Sequence, residues 1–199
     1  MGHLPFRGRR PIFIGDDVTD ETVFAIMPDM NGLSFSVGRR AIGVELALAQ
    51  VVSDPEMRDK LLANLAAAGL RPEDINNVVL SHFHGDHING LRYRSGALVY
   101  PNARVHVPTV EYAFWMDDAR MESAPPAMKG AFMGVRRALG NLSGDQLVKF
   151  EPGSVVAPGI TSVAAFGHTP GHTLFRIDSQ GQSFAYVADI TNIPSLAMT

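Results

Sequence analysis

The amino-acid sequence predicts a layered α/β protein, and three stretches carry that expectation. A helix with a clear apolar face runs from Ser53 to Ala68, and the apolar strand Asn77 to Leu80 follows it closely. The segment from Val155 to Ala188 reads as β-structure throughout. Strands and helices in turn, followed by a run of strands, place the chain in the α/β class.

Taken in order, Pro11 to Ile14 is a short apolar strand, turned by Gly15-Asp16-Asp17. Thr19 is placed to cap a helical turn over Glu21 to Met27, which Pro28 stops. Gly32 to Val37 alternates as a second strand, and Gly38-Arg39-Arg40-Ala41-Ile42-Gly43 breaks the pattern. A boundary is expected between Gly38 and Ser53, dividing the chain into segments 1–42 and 43–199. Ser53 and Glu56 form a capping-box pair for the main helix. Met57, Leu61, Leu62, Leu65 and Ala68 mark its apolar face, and Gly69 closes it. Arg71-Pro72-Glu73-Asp74 turns the chain into Asn77 to Leu80. Beyond it, Arg104 to Val107 reads as a strand, Thr109 to Met116 as a helix and Ala124-Pro125-Pro126 as a loop. Ser179-Gln180-Gly181-Gln182 turns a hairpin.

Composition narrows the chemistry. Of 199 residues, 46% are hydrophobic and 19% charged, which excludes a disordered tail, collagen or a coiled coil. The absence of cysteine removes disulfide scaffolds, thiolate zinc fingers, iron–sulfur clusters and thiol nucleophiles, so any metal must be held by nitrogen and oxygen. A net charge of -3 and a pI near 6.1 leave no broad basic surface, and nucleic acid is excluded as a partner. The early arginines Arg7, Arg9 and Arg10 precede an apolar run of only Pro11-Ile12-Phe13-Ile14, too short for a secretory leader. Nothing approaches the roughly 20 apolar residues of a membrane span. A cytoplasmic protein with a small-molecule substrate and no membrane partner is expected; oligomeric state is not specified.

The densest chemistry lies in Ser81-His82-Phe83-His84-Gly85-Asp86-His87. In extended chain, residues i and i+2 point the same way, so His82 and His84 can grip one cation together. Asp86 and His87 follow in a glycine-containing turn that aims them at a neighbouring position, which suits two adjacent ions. Nitrogen and carboxylate donors without sulfur fit zinc, and also manganese, iron or cobalt.

These residues resemble the H-x-H-x-D-H signature of metallo-β-lactamase-fold hydrolases. Gly167-His168-Thr169-Pro170-Gly171-His172-Thr173 is similar to the family's G-H-T-x-G-H block, and Ala188-Asp189 to the block with its bridging aspartate. The resemblance covers about residues 61–195, and is greatest to the lactonase and methyl-parathion-hydrolase-like branch through His82 to Leu91, Glu111 to Trp115, and Gly167 to Asp189. It implies an αββα sandwich, incomplete here. His82, His84 and His168 would hold the first of two zinc ions, Asp86 and His87 the second, and Asp189 would bridge them. His172 is expected to be structural. The implied reaction is hydrolysis of a lactone, ester or organophosphate by a metal-activated water, with Asp86 accepting its proton. Phe83, Tyr93, Phe114 and Trp115 are candidates either for an apolar substrate pocket or for the core.

Two departures qualify the resemblance. The family's further histidine beyond the bridging aspartate has no counterpart among the ten residues after Asp189, so the domain is expected to be C-terminally truncated and its second site weak. The family's opening strands are also missing. Residues 4 to about 40 instead resemble the C-terminal part of trehalose-phosphate phosphatases of the haloacid-dehalogenase superfamily. The residues concerned are Phe6-Arg7-Gly8-Arg9, Phe13-Ile14-Gly15-Asp16-Asp17-Val18-Thr19-Asp20-Glu21 and Gly32-Leu33-Ser34-Phe35-Ser36-Val37-Gly38. The nucleophile strand and lysine motif of that family are absent, so phosphatase chemistry ranks low. The rival to the hydrolase is a folded, inactive metal-binding fragment or chimera. A third expectation is that Pro11 to Ile14 joins the Val78 to Leu80 sheet in place of the missing opening strand.

Overall fold

Val78 and Val79 are β-branched and lie in β4 (Asn77–Val79), the strand that carries the histidine motif at its end. The computed structural model describes residues 62–190, apart from 64, 68, 143, 180 and 181, together with three N-terminal strands. Those strands are β1 (Ile12–Gly15), β2 (Leu33–Val37) and β3 (Leu46–Leu48), joined as a parallel sheet in the order β1-β2-β3. β1 therefore pairs with β2 and not with β4, and the expectation that it replaces an opening strand of the β4 sheet fails. β3 carries this sheet past residue 42, within the window of 38–53 set for the boundary. The Thr19 cap, the turn of Glu21 to Met27, the acidic loop and the Ser53–Glu56 box lie outside the described residues. Residues 62, 63 and 65–67 are helical, with Leu65 buried.

β4 pairs in parallel with β5 (Arg104–Pro108), and β5 with β6 (Leu147–Phe150). Parallel neighbours need crossover connections, and helices supply them. α1 (Gly85–Ile88) lies between β4 and β5. α2 (Thr109–Trp115), α3 (Asp118–Ser123) and α4 (Pro126–Leu139) lie between β5 and β6. The Asp117 carboxylate caps α3 by accepting the Arg120 N–H at 3.0 Å. The expected loop at Ala124-Pro125-Pro126 ends one residue early. Pro126 opens α4, because proline is tolerated where the first helical N–H has no partner anyway.

The second sheet is antiparallel, in the order β10-β9-β8-β7, with β7 at Val155–Ala157, β8 at Ile160–Ala164, β9 at Thr173–Ser179 and β10 at Gln182–Tyr186. β9 and β10 form the expected hairpin, with Ser179 opposite Gln182.

Two apolar clusters hold the layers together. Val105 and Val107 of β5 face Phe132, Val135, Ala138 and Leu139 of α4, with Phe83, Ile88 and Trp115 in the same cluster. On the other face of the parallel sheet, Phe150 packs with Val156 and Phe175 of the antiparallel sheet, and Val79, Ile160 and Ile177 surround them. The result is helices, then a parallel sheet, then an antiparallel sheet. The two histidine motifs emerge where the sheets meet: the Thr173 N–H at the head of β9 donates to the Ser81 carbonyl just past β4 at 3.0 Å.

Candidate metal centre

Beyond β4 the chain stays extended, and the alternation expected for His82 and His84 is realised. Their rings lie 4.9 Å apart, while Phe83 between them points the other way into the helix-covered core and is 1% exposed. Phe83 is thus a core residue rather than a pocket wall. Trp115 is likewise buried, and Phe114 packs edge-on against it at 5.1 Å. After His84 the chain winds into α1, a short helix rather than an open turn, and this lifts Asp86 and His87 beside the first pair.

The second motif is a tight loop between β8 and β9. Gly167 sits at φ +146, a conformation side-chain-bearing residues rarely adopt, and it delivers His168 to the cluster. Gly171 is needed for a different reason. A Cβ there would lie 2.2 Å from the Glu111 backbone nitrogen. His172 is fully buried; its Nδ1–H donates to the Ala165 carbonyl at 3.1 Å, which leaves Nε2 to accept the Asp189 N–H at 3.2 Å. It fixes the backbone of Asp189 and stands outside both donor groups described next. Ala188, immediately before Asp189, has φ 47, the left-handed region that alanine pays strain to enter.

Six residues from three separate segments converge. His82, His84, His168 and Asp189 form one group of donors, and Asp86, His87 and Asp189 a second, with the donor atoms of each group within 4.8 Å of one another. Asp189 belongs to both. Its Oδ2 lies 3.2 Å from His87 Nε2, 3.4 Å from His168 Nε2 and 3.6 Å from His82 Nε2. The last two distances are too long for good hydrogen bonds. They match donors sharing one tetrahedral cation, which are about 3.3 Å apart for bonds of about 2.0 Å. His82 Nε2 is buried without a hydrogen-bond partner, while its Nδ1 meets the Ser81 hydroxyl at 3.0 Å. A buried, unsatisfied imidazole nitrogen aimed into a ring of donors is costly unless something electropositive meets it. The residues therefore fit a divalent cation.

The electrostatics agree. Burial, reinforced by the neighbouring His87, pushes the His82 imidazole far below its ordinary range. Burial followed by His168 lowers His84, and burial lowers His172 despite its bond to Ala165. The hydrogen bond from His87 leads the effects that hold the Asp189 carboxyl down. Neutral imidazoles around an ionised carboxylate are the protonation states that metal ligation requires.

One buried group was not singled out as a site residue in the sequence. Glu111 on α2 is fully buried, and its carboxylate accepts from Phe83 N–H, the Trp115 indole N–H, the Thr169 hydroxyl and Gly171 N–H at 2.7–3.1 Å. The spacing of Glu111 to Trp115, one helical turn, is the local signal that the two side chains meet.

Comparison with known proteins matches residues 51–199 to the metallo-beta-lactamase superfamily, and the chain belongs to that superfamily. Among solved structures it is similar to the hydrolase AbOPH of the beta-lactamase superfamily, at 29% identity and a TM-score of 0.59, over 65% of this chain and 46% of that one. It is also similar to AidC, a dizinc quorum-quenching lactonase, at 27% identity and a TM-score of 0.53, again over 65% and 46%. A shorter similarity, 43% identity over 51 residues, links it to the trehalose-6-phosphate phosphatase of Escherichia coli (strain K12), covering 26% of this chain and 19% of that protein. The chain thus spans just under half the length of these two solved relatives. Among the described residues, no helix is long and apolar enough to cross a membrane.

Proposed function

We propose that this chain is a metal-dependent hydrolase. His82, His84, His168 and Asp189 would hold one zinc-type ion, and Asp86, His87 and Asp189 a second, acting on a lactone, ester or organophosphate-type substrate. The observation that carries the reading is the convergence of both donor groups on Asp189 around the unpartnered His82 Nε2. The similarity to a dizinc lactonase supports the pair of ions and, within the substrate range, the lactone. Among the described residues the second group offers fewer donors than the first, so its ion would be the more weakly held. As part of the same reading, residues 1–42 would form a segment apart from a hydrolase domain at 43–199; the family match from residue 51 supports two parts, while β3 at Leu46–Leu48 carries the N-terminal sheet a few residues past 42.

When bound, such ions lower the pKa of a water toward neutrality and polarise the oxygen under attack. The chain's own residues do the rest. Asp86, its side chain 42% exposed and 3.6 Å from His87 Nε2, would accept the proton that water gives up on attack. His172 holds the Asp189 backbone in place, and His87 Nε2, 3.2 Å from Oδ2, holds its carboxylate.

Metal analysis of the purified chain, alongside assays with a lactone, an aryl ester and an aryl phosphotriester, tests this. Close to two zinc-type ions per chain and turnover of at least one substrate are expected, and His84→Ala should lose the tighter ion together with activity. A chain that binds metal but turns over none of the substrates, even with added Zn²⁺ or Mn²⁺, is an inactive binding fragment, and the hydrolase reading falls.

A further inference from the structure

We propose that Glu111 is a positioning residue for the metal centre, its buried carboxylate holding the loop of residues 81–87 and the loop of residues 167–172 in the one mutual register that brings their donors together. The inference rests on the reading of the cluster as a metal site. Four donors reach the carboxylate: Phe83 N–H at 3.1 Å and the Trp115 indole at 2.8 Å on Oε1, and the Thr169 hydroxyl at 2.8 Å and Gly171 N–H at 2.7 Å on Oε2. Three of them lie beside the site's machinery, and the Trp115 indole belongs to Glu111's own helix. Phe83 stands between His82 and His84, Thr169 follows His168, and Gly171 precedes the His172 that fixes Asp189.

Chemistry favours this role over simple core packing. An anion with 0% exposure whose four hydrogen-bond donors are all neutral is expensive to bury. A divalent cation held by the donors of the two loops would offset that cost, so the charge and the metal would support each other. Glutamine cannot substitute quietly. With its carbonyl toward Phe83 and Trp115, its amide N–H groups would face the Gly171 N–H, a donor against a donor.

The test compares Zn²⁺ affinity, by chelator competition, and the visible spectrum of the Co²⁺-loaded protein for the unaltered chain, Glu111→Gln and Thr169→Val. Thermal unfolding of each metal-stripped protein is followed alongside. Thr169→Val removes one bond and leaves the carboxylate, so it keeps the question answerable if Glu111→Gln does not fold. The expected result is about tenfold or greater weakening of Zn²⁺ binding in Glu111→Gln, a smaller loss in Thr169→Val, and altered Co²⁺ bands in both. Variants that unfold more easily yet bind Zn²⁺ as the unaltered chain does, with an unchanged Co²⁺ spectrum, would show a purely structural carboxylate and overturn the proposal. If the unaltered chain itself binds no Zn²⁺, the site reading fails first, an outcome distinct from equal binding by all three proteins.

Discussion

Gly171 shows how narrow the tolerances of the site are. Its Cα passes so close to α2 that an added methyl would sit 2.2 Å from the Glu111 nitrogen and 2.6 Å from its Cα. Those are backbone atoms, which cannot swing aside as a side-chain tip could. Gly171→Ala should therefore push the 167–172 loop off Glu111 at a cost of about 1–3 kcal/mol, the usual penalty for overpacking. A urea unfolding midpoint equal to that of the unaltered chain would count against this contact. Gly167 in the same motif is required by its backbone angle instead, so two glycines in one short block serve two unrelated physical demands.

Among the elements, α4 supports the site by packing against α1, the short helix that carries Asp86 and His87. Phe132, Val135, Ala138 and Leu139 form its buried face, and the Phe132 ring packs at a tilt 4.8 Å from Trp115, whose indole N–H holds Glu111. Phe132→Ala should cost about 3–5 kcal/mol, as large-to-small changes in a closed core do. A denaturation curve showing less than about 1 kcal/mol of loss would mean that α4 relaxes onto the sheet. This helix is also the element least legible in the sequence. Two prolines at its head resemble a loop, and Gly130 and Gly134 weaken its helical signal, each costing roughly 1 kcal/mol relative to alanine. Tertiary burial of its apolar face overrides both. By contrast β5, α2 and the β9–β10 hairpin were readable, because each has strong local periodicity or turn chemistry.

For the molecule as a whole, the clustered histidines predict a specific response to acid. His82, His84 and His172 are held below their ordinary pKa in the folded state, chiefly by burial. Below about pH 6.5 the unfolded chain therefore binds more protons than the folded one, and stability falls as pH falls. Asp189, also lowered, adds a further loss deeper in the acid range. The metal-stripped protein should lose thermal stability steadily from about pH 6.5 downward. Saturating Zn²⁺ at about 100 times its dissociation constant should add roughly 2.7 kcal/mol near neutral pH, an increment that shrinks as protons compete for the imidazoles. Thermal scans across pH, with and without metal, read both effects. A melting temperature flat from neutral to mildly acid pH would contradict neutral burial of the histidines.

The amino-acid sequence by itself determined the donor chemistry: no cysteine, and His82, His84, Asp86, His87, His168 and Asp189 in one recognisable order. It also determined that His82 and His84 face the same way, because alternation along extended chain is a local property. Only the tertiary structure decided which donors meet. His87 and Asp189 are 102 positions apart in the chain and come within 3.2 Å because two sheets pack face to face at Phe150 and Phe175. The same packing sent Phe83 inward and enclosed Glu111, whose four partners lie in two loops and its own helix. Local pattern fixes direction along a strand; proximity between distant segments depends on how the whole core closes.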